Sequence, residues 1–286
     1  MRRLVVALCI TMSMGSAWGQ NTDRNSRPAK AVASGPDLKS SSVLVIDQSE
    51  GTALYGKNAD NVKPIASITK VMTAMVVLDA DLPLDELIVI SKEDRDLIKG
   101  TRSRLHIGAA LTRRELLQLA LMASENRAAE ALTRVYPGGT SAFVGAMNRK
   151  AVELGMVHSR FVDGTGLSSE NVSTAQDLTK MVAAAYQYPL IREFTTEKKA
   201  TVHLANGQAM NYGNSNLLVS SRDWQIGLSK TGYISEAGRC LVMQATIASR
   251  PVIIVLLESW GRLTRIGDAN RIKRWMESRF GSDVPG

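Results

Sequence analysis

The chain has 286 residues, of which 44% are hydrophobic and 22% are charged, and this composition excludes fibrous and intrinsically disordered proteins. The formal net charge of +8 favours an anionic partner, such as a cell wall, a membrane surface or a nucleic acid. Two cysteines exclude a disulfide-rich scaffold and three histidines argue against a zinc hydrolase, so we expect neither a metal nor another cofactor.

The N-terminus predicts export. Residues 1–3 form a short basic start, residues 4–14 form an apolar run, and residues 17–19 offer small side chains for cleavage. The apolar run is too short to span a bilayer comfortably, which argues against a membrane anchor. We therefore predict a signal peptide over residues 1–19, cleaved after Gly19, and a periplasmic bacterial protein.

After the signal peptide, the sequence predicts a polar leader and then a folded domain with β-rich segments at both of its ends. Residues 20–41 are polar and predict a flexible leader, so the folded domain is expected over residues 42–281, with no second C-terminal domain. An Asn206-Gly207 pair predicts a hairpin turn within residues 203–211. Apolar runs predict strands at 43–46, 52–55, 228–231, 240–247 and 252–257.

The middle of the chain has helical periodicity. The last predicted helix, residues 266–280, is amphipathic. Such a helix could pack on a sheet or bind a membrane surface, and we favour packing on the sheet. We therefore expect at most peripheral membrane contact. The pattern predicts an α/β sandwich: strands from both chain ends form one sheet, helices cover it, and an all-helical lobe is inserted between them. We predict helices at 68–78, 112–122 (with a capping box at its start), 127–135, 142–154, 175–186 and 266–280.

Ser67 and Lys70 lie three residues apart at the start of the first predicted helix. This spacing places both side chains on one face, so that Lys70 Nζ can reach Ser67 Oγ. A lysine kept neutral by burial could accept the serine proton, while the serine amide would face a developing oxyanion. Taken alone, an N-cap serine beside an exposed lysine explains the pair equally well.

Two further polar groups follow in the chain. Ser124 and Asn126 stand between two predicted helices, where a hydroxyl could relay a proton and an amide could bind a carbonyl, although both are common capping residues. Lys230, Thr231 and Gly232 end a predicted strand. There the lysine adds positive potential, the threonine can bind a carboxylate, and the glycine lets a substrate backbone approach.

Together these three groups resemble the catalytic set of penicillin-binding proteins and serine β-lactamases, whose Ser-x-x-Lys serine is acylated. Segments 64–74, 161–167, 230–233 and 237–242 are similar to the low-molecular-mass D-alanyl-D-alanine peptidases. Segments 121–129 and 136–139 are most similar to the D-alanyl-D-alanine endopeptidase branch, the penicillin-binding protein 7 type. The resemblance runs from about residue 42 to residue 279 and implies the penicillin-binding/serine β-lactamase-like fold, with a mostly antiparallel sheet.

The resemblance also implies a role for each matching catalytic residue. Ser67 would form the acyl-enzyme, Lys70 would accept its proton, and Ser124 would pass a proton to the leaving amine. The backbone amides of Ser67 and Tyr233 would form the oxyanion hole. Penicillins and other β-lactams would then act as covalent inhibitors.

Substrate binding is implied in the same way. Asn126 would hold the amide on the acyl side, Lys230 and Thr231 would bind the carboxylate of the leaving D-residue, and Gly232 would leave the strand edge free for the peptide. The implied partners are peptidoglycan muropeptides. A nucleic acid is not expected, because basic and aromatic residues do not interleave and the chain is exported.

One departure separates the chain from penicillin-hydrolysing enzymes of class A, which resemble this set but add a Glu-x-x-Asn. Here the corresponding region reads Asp163-Gly164-Thr165-Gly166. We therefore expect slow release of a penicilloyl group, as in a β-lactam target rather than a resistance enzyme.

Three functions stay open at this point. The endopeptidase-like segments, and the end of the chain after a single helix, favour hydrolysis of D-Ala–diamino acid cross-links over D-alanyl-D-alanine carboxypeptidase activity. A non-catalytic peptidoglycan-binding protein is the alternative of another class. It is disfavoured because a pure binder needs no set made of Ser67, Lys70, Ser124 and Lys230.

Overall fold

The computed structural model describes residues 35–204 and 207–281. The predicted signal peptide, most of the predicted leader and Asn206 of the predicted hairpin turn lie outside these residues. The strands are β1 (Ser42–Asp47), β2 (Ala53–Lys57), β3 (Lys63–Pro64), β4 (Leu87–Val89), β5 (Ala110–Thr112), β6 (Val172–Ser173), β7 (Lys199–His203), β8 (Ala209–Gly213), β9 (Gln225–Ile234), β10 (Gly238–Ile247) and β11 (Arg250–Ser259). The helices are α1 (Thr69–Asp79), α2 (Arg113–Met122), α3 (Asn126–Arg134), α4 (Gly139–Glu153), α5 (Ala175–Ala185), α6 (Pro189–Thr196) and α7 (Thr264–Phe280).

A five-stranded antiparallel sheet joins the two ends of the domain, in the order β2-β1-β11-β10-β9. Its central strand is buried on both faces. Val255 and Leu257 point to one hydrophobic cluster, whereas Ile254 and Leu256 point to another, as the two-residue period of a strand requires. The sheet predicted from both chain ends is therefore confirmed, and β9 forms one of its edges.

Helices cover both faces of this sheet. The helix α5 packs on β1, β10 and β11, while α7 packs on β10 and β11. In α7, Ala269, Ile272 and Met276 are buried in the second hydrophobic cluster, which confirms that the terminal helix packs on the sheet. Among the described helices, none has both the length and the apolar character needed to cross a membrane.

The predicted helical lobe consists of α2, α3 and α4, which pack on one another and on α1. All residues from Thr69 to Val77 in α1 are buried, as its apolar sequence predicts. The capping box at the start of α2 is present, since Thr112 Oγ1 accepts from the Glu115 amide and the Glu115 carboxylate accepts from the Thr112 amide. The cleft between this lobe and the edge strand β9 contains the candidate site.

Several short elements escaped prediction. The two-stranded pairs β3/β6 and β4/β5 contain only two or three residues per strand, too few for a hydrophobic period to be read. The helix α6 was also missed, although its proline at the first turn is a typical start signal. The strand β9 extends well beyond the predicted 228–231, so that Lys230-Thr231-Gly232 lies within a strand and not at its end.

The prediction of a flexible leader up to residue 41 is wrong for its last part. Leu38 is buried in the second hydrophobic cluster, and Ser40 is fully buried. The carboxylate of Asp268 in α7 accepts from the Lys39 amide (3.0 Å), the Ser40 amide (2.7 Å) and Ser40 Oγ (2.5 Å). The contact was invisible in sequence because its partner lies more than two hundred residues away.

We expect Asp268→Ala to destabilise the fold by about 2–4 kcal/mol, because it leaves buried donors of Lys39 and Ser40 without an acceptor. Burial favours the protonated carboxyl, but the bonds from Ser40 and Lys39 outweigh it and hold the pKa of Asp268 below its usual value. Its contribution is therefore present above the unfolded-state pKa and is lost as the pH falls through the folded-state pKa. Urea unfolding at several pH values measures this.

Glu277→Ala, on the same helix, is the matched control. Within the described chain Glu277 forms a surface ion pair with Lys273, so its loss should cost at most about 0.5 kcal/mol. Equal destabilisation by the two substitutions would contradict the anchoring role of Asp268.

Candidate active site

Ser67 lies in a short 3-10 turn, Ala66–Ile68, directly before α1 begins. The sequence predicted a position at the helix start, and the turn preserves the approach of Ser67 to Lys70. Ala66 has a φ of 47°, a left-handed conformation that is uncommon for a residue with a side chain. Ser67 stays partly exposed between two buried neighbours, so a substrate can reach its hydroxyl.

Lys70 is fully buried, contrary to the exposed lysine of the simpler interpretation. Its Nζ donates to Ser67 Oγ (2.9 Å), Asn126 Oδ1 (2.7 Å) and the Thr165 carbonyl (2.6 Å). Burial lowers the pKa of Lys70 to about 7, although the carboxylate of Asp163 and others nearby oppose the shift. A large fraction of the amine is therefore neutral near neutral pH and can accept the Ser67 proton.

Ser124 lies in the turn between α2 and α3, and Asn126 is the first residue of α3. Glu125 is the N-cap of α3, since its side chain accepts from the Arg127 amide, so neither Ser124 nor Asn126 is used as a cap. Ser124 has a φ of 60°, and its Oγ accepts from Lys230 Nζ at 2.8 Å. Asn126 Nδ2 donates to Thr101 Oγ1 at 2.9 Å.

On the opposite wall, Lys230 and Thr231 lie in the edge strand β9. Lys230 is buried, and its Nζ donates to Ser124 Oγ and to the Thr231 carbonyl, both at 2.8 Å. Burial, together with the nearby positive charges of Lys70 and Arg265, holds the pKa of Lys230 well below its usual value. The lysine is thus poised to gain a full charge when an anion arrives beside it.

Two glycines let the walls approach the nucleophile. A Cβ on Gly232 would lie 2.9 Å from the Ile65 carbonyl and 3.1 Å from the Ser67 amide. Gly166 has a φ of 78°, and a Cβ there would lie 2.0 Å from the Ala66 carbonyl. Any other residue at either position would push the nucleophile turn away from its partners.

The structure brings all eight predicted site residues together. Lys70 and Lys230 lie behind the surface, with their amino groups against Ser67 and Ser124 respectively. An open cleft above them is lined by Ser67, Ser124, Asn126, Thr231, Gly232, Tyr233 and Arg265.

Three residues of the site were missed. Arg265, in the first turn of α7, lines the cleft, and its Nε and Nη1 are buried without a hydrogen-bond partner in the described chain. Ser215 Oγ accepts from Thr231 Oγ1 at 2.8 Å, and the Thr165 carbonyl binds Lys70. Thr165 lies in the family-like segment 161–167 but was given no role there. No local motif marks Ser215 or Arg265, because both reach the site through tertiary packing, and the sequence shows Arg265 only as one basic residue of an amphipathic helix.

Comparison with known proteins agrees with this geometry. A family model described as D-alanyl-D-alanine carboxypeptidase, peptidase family S11, matches residues 29–260. The chain belongs to this family. The resemblance inferred from the motifs is thereby confirmed.

Similar proteins include two named D-alanyl-D-alanine endopeptidase. The one from Pseudomonas aeruginosa is 44% identical over 282 residues, covering 98% of this chain and 90% of the relative. The one from Escherichia coli is 44% identical over 258 residues, covering 90% and 83%. The crystal structure of the Streptomyces K15 DD-transpeptidase superposes with a TM-score of 0.79 at 30% identity, covering 88% of this chain and 100% of that one. The expected penicillin-binding fold is therefore confirmed.

The lowered pKa of Lys70, at about 7, predicts a pH dependence for acylation of Ser67 by a penicillin. The neutral amine is the proton acceptor, so the second-order rate should rise about tenfold per pH unit below the pKa and level off above it. The adduct is followed by intact mass. In Lys70→Ala the rate should fall by about 10²–10⁴-fold and this limb of the profile should vanish; a limb that survives the substitution would assign the titration to another group.

Proposed function

We propose that the chain is an exported serine D,D-endopeptidase. It hydrolyses D-Ala–diamino acid cross-links in peptidoglycan through an acyl-Ser67 intermediate, and β-lactams acylate the same serine. The predicted signal peptide would direct it to the periplasm, where these cross-links are found.

The observation that carries this proposal is a pair of basic side chains, Lys230 and Arg265, that lie beside a reachable serine and have no anionic partner in the described chain. Lys230 bonds only neutral oxygens, and Arg265 offers two buried N–H groups without partners in the described part of the chain. Thr231 lines the same cleft. A substrate with a free carboxylate next to the scissile bond supplies the missing charge, and a D-centre at the end of a cross-link carries such a group.

Acylation follows from the hydrogen bonds of Ser67. Its Oγ attacks the D-alanyl carbonyl carbon while the proton moves to neutral Lys70, 2.9 Å away. The backbone amides of Ser67 and Tyr233 bind the oxyanion that forms. Asn126, whose Oδ1 is held by Lys70, positions the amide on the acyl side.

The tetrahedral intermediate collapses to acyl-Ser67 when its C–N bond breaks, and the departing amine then needs a proton. Lys230 Nζ donates to Ser124 Oγ, which leaves the Ser124 hydroxyl proton free to turn toward the cleft. Ser124 passes this proton to the nitrogen as the C–N bond breaks, and the Lys70 ammonium replaces it. Water then attacks the acyl-Ser67 carbonyl with neutral Lys70 as the base, and the stem peptide is released.

A penicilloyl group should leave slowly. The carboxylate of Asp163 is directed into its own loop, where it accepts from the amides of Thr165 (2.7 Å), Gly166 (2.6 Å) and Ser168 (3.0 Å). It is therefore not available to activate a deacylating water. This supports a β-lactam target and argues against a resistance enzyme.

Carboxypeptidase activity is the competing proposal, because both reactions use the same catalytic residues. The endopeptidase is favoured by similarity: the two relatives with 44% identity bear that name, whereas a carboxypeptidase from Streptomyces is 34% identical. A non-catalytic binder would have no use for the buried, hydrogen-bonded pairs around Ser67 and Ser124.

The deciding experiment uses the mature protein with a mixture of D,D-cross-linked muropeptide dimers and pentapeptide monomers. We expect the dimers to fall to monomers, as followed by mass, and Ser67→Ala to stop the reaction while leaving the fold intact. Loss of one alanine from the pentapeptide, with intact dimers, would establish the carboxypeptidase instead. No reaction with folded protein would favour the binder.

A second test concerns the carboxylate. Arg265→Met should lower kcat/KM for a substrate with a free terminal carboxylate by about 10–100-fold, the loss expected for a charge-assisted contact. The corresponding carboxamide substrate should respond far less. Arg262→Met, which removes an exposed arginine three residues earlier, is the control and should change neither rate. Equal losses on both substrates would contradict carboxylate recognition by Arg265.

A further inference from the structure

One end of the active-site cleft is crossed by a loop segment, residues 96–101, which we term the strap. Asp96 organises it by accepting from the backbone amides of Ile98, Lys99 and Thr101, each at 2.8 Å. The Asp96 carboxylate therefore holds the backbone conformation of the strap.

The strap is bonded to both walls of the cleft. On the helical-lobe side, Thr101 Oγ1 accepts from Asn126 Nδ2 at 2.9 Å. On the sheet side, Lys99 forms an ion pair with Glu236, in the turn between β9 and β10. A cavity beneath it is lined by Ile98 of the strap and by Asn126 and Thr165, among others.

The direction of β9 shows which part of a substrate meets the strap. A peptide that adds to this edge strand has its carboxylate near Thr231 and its scissile carbonyl near Gly232. The acyl-side chain must then continue past Tyr233 toward the end of β9 at Ile234, and Glu236 lies just beyond it. The stem peptide therefore leaves the cleft where the strap crosses it.

Asn126 joins the strap to the place where the acyl-side amide would bind. Both ends of its side chain are engaged, Oδ1 by Lys70 and Nδ2 by Thr101. One N–H group of Nδ2 is thus committed to the strap, and the second remains for an acyl-side carbonyl. A long acyl-side chain bound at Asn126 therefore runs against the closed strap.

We propose that the Lys99–Glu236 ion pair is a specificity gate: it opens to admit an acyl-side stem peptide and does not affect acyl groups too short to reach it. This inference rests on the proposed function for the orientation of the substrate. It assigns Lys99 and Glu236 to substrate selection, apart from the chemistry at Ser67.

The test compares two β-lactams that differ only on the acyl side. One is 6-aminopenicillanic acid, which has no acyl side chain, and the other is a penicillin that carries a stem tripeptide there. The second-order rate of adduct formation on Ser67 is measured by intact mass for the mature protein and its variants. We expect Lys99→Ala and Glu236→Ala each to accelerate the tripeptide probe about two- to fivefold, the scale of one partly exposed ion pair, and to leave the short probe unchanged.

Two controls separate the gate from a general loss of charge. The double variant Lys99→Glu/Glu236→Lys restores the pair with opposite polarity and should return the tripeptide rate toward that of the original chain. Lys92→Ala removes an exposed lysine preceding the strap and should alter neither rate.

Equal acceleration of both probes, no acceleration, or slower reaction of the tripeptide probe would each overturn the gate. Adduct formation depends only on acylation of Ser67, so a chain that forms adducts but cleaves no cross-link would contradict the proposed function while still testing the gate. Failure of both probes to acylate folded protein would overturn both.

Discussion

The site depends on two lysine side chains buried where the helical lobe meets the edge of the sheet. A buried ammonium is costly unless it loses its charge or is surrounded by acceptors, and here both solutions operate. Lys70 is surrounded by three oxygen acceptors from three separate segments, and burial lowers its pKa to about 7. Lys230 has two neutral acceptors and a pKa held well below normal. Ser67, Asn126 and the Thr165 carbonyl lie where they accept from Lys70, and Ser124 lies where it accepts from Lys230.

Two of the seven non-glycine residues with positive φ in the described chain lie beside the site serines or at one of them. Ala66, beside the nucleophile, and Ser124, beside the buried lysine of β9, both have left-handed conformations that cost of order 1–3 kcal/mol each. Surrounding elements hold them: α1 is buried along almost its whole length, and Glu125 caps the helix that follows Ser124. The core therefore stabilises two unfavourable turns. Because of these turns, Ser67 and Ser124 both line one cleft.

Sequence reasoning succeeded where the physical signal is local. Runs of apolar residues identified the long strands, and the Thr112–Glu115 pair identified a helix start. Three short motifs predicted seven site residues, and the family resemblance added Tyr233. It failed where the signal requires a partner distant in the chain. Arg265 and Ser215 reach the cleft only after folding, and the anchoring of Ser40 depends on Asp268. Strands of two or three residues carry no period at all, so β3 to β6 were beyond reach of any pattern.

The pairing of β1 with β11 has a consequence for how the molecule forms. Ser42 pairs with Leu257, so the centre of the sheet joins residues from near the two ends of the described chain. Such non-local pairing slows folding, because a long loop must close before the contact can stabilise it. A chain emerging N-terminus first exposes Ser67 and Lys70 long before the strand that carries Lys230 becomes available. The nucleophile therefore remains without its second wall until synthesis is nearly complete, and no truncated product that lacks β9 to β11 can assemble a working site.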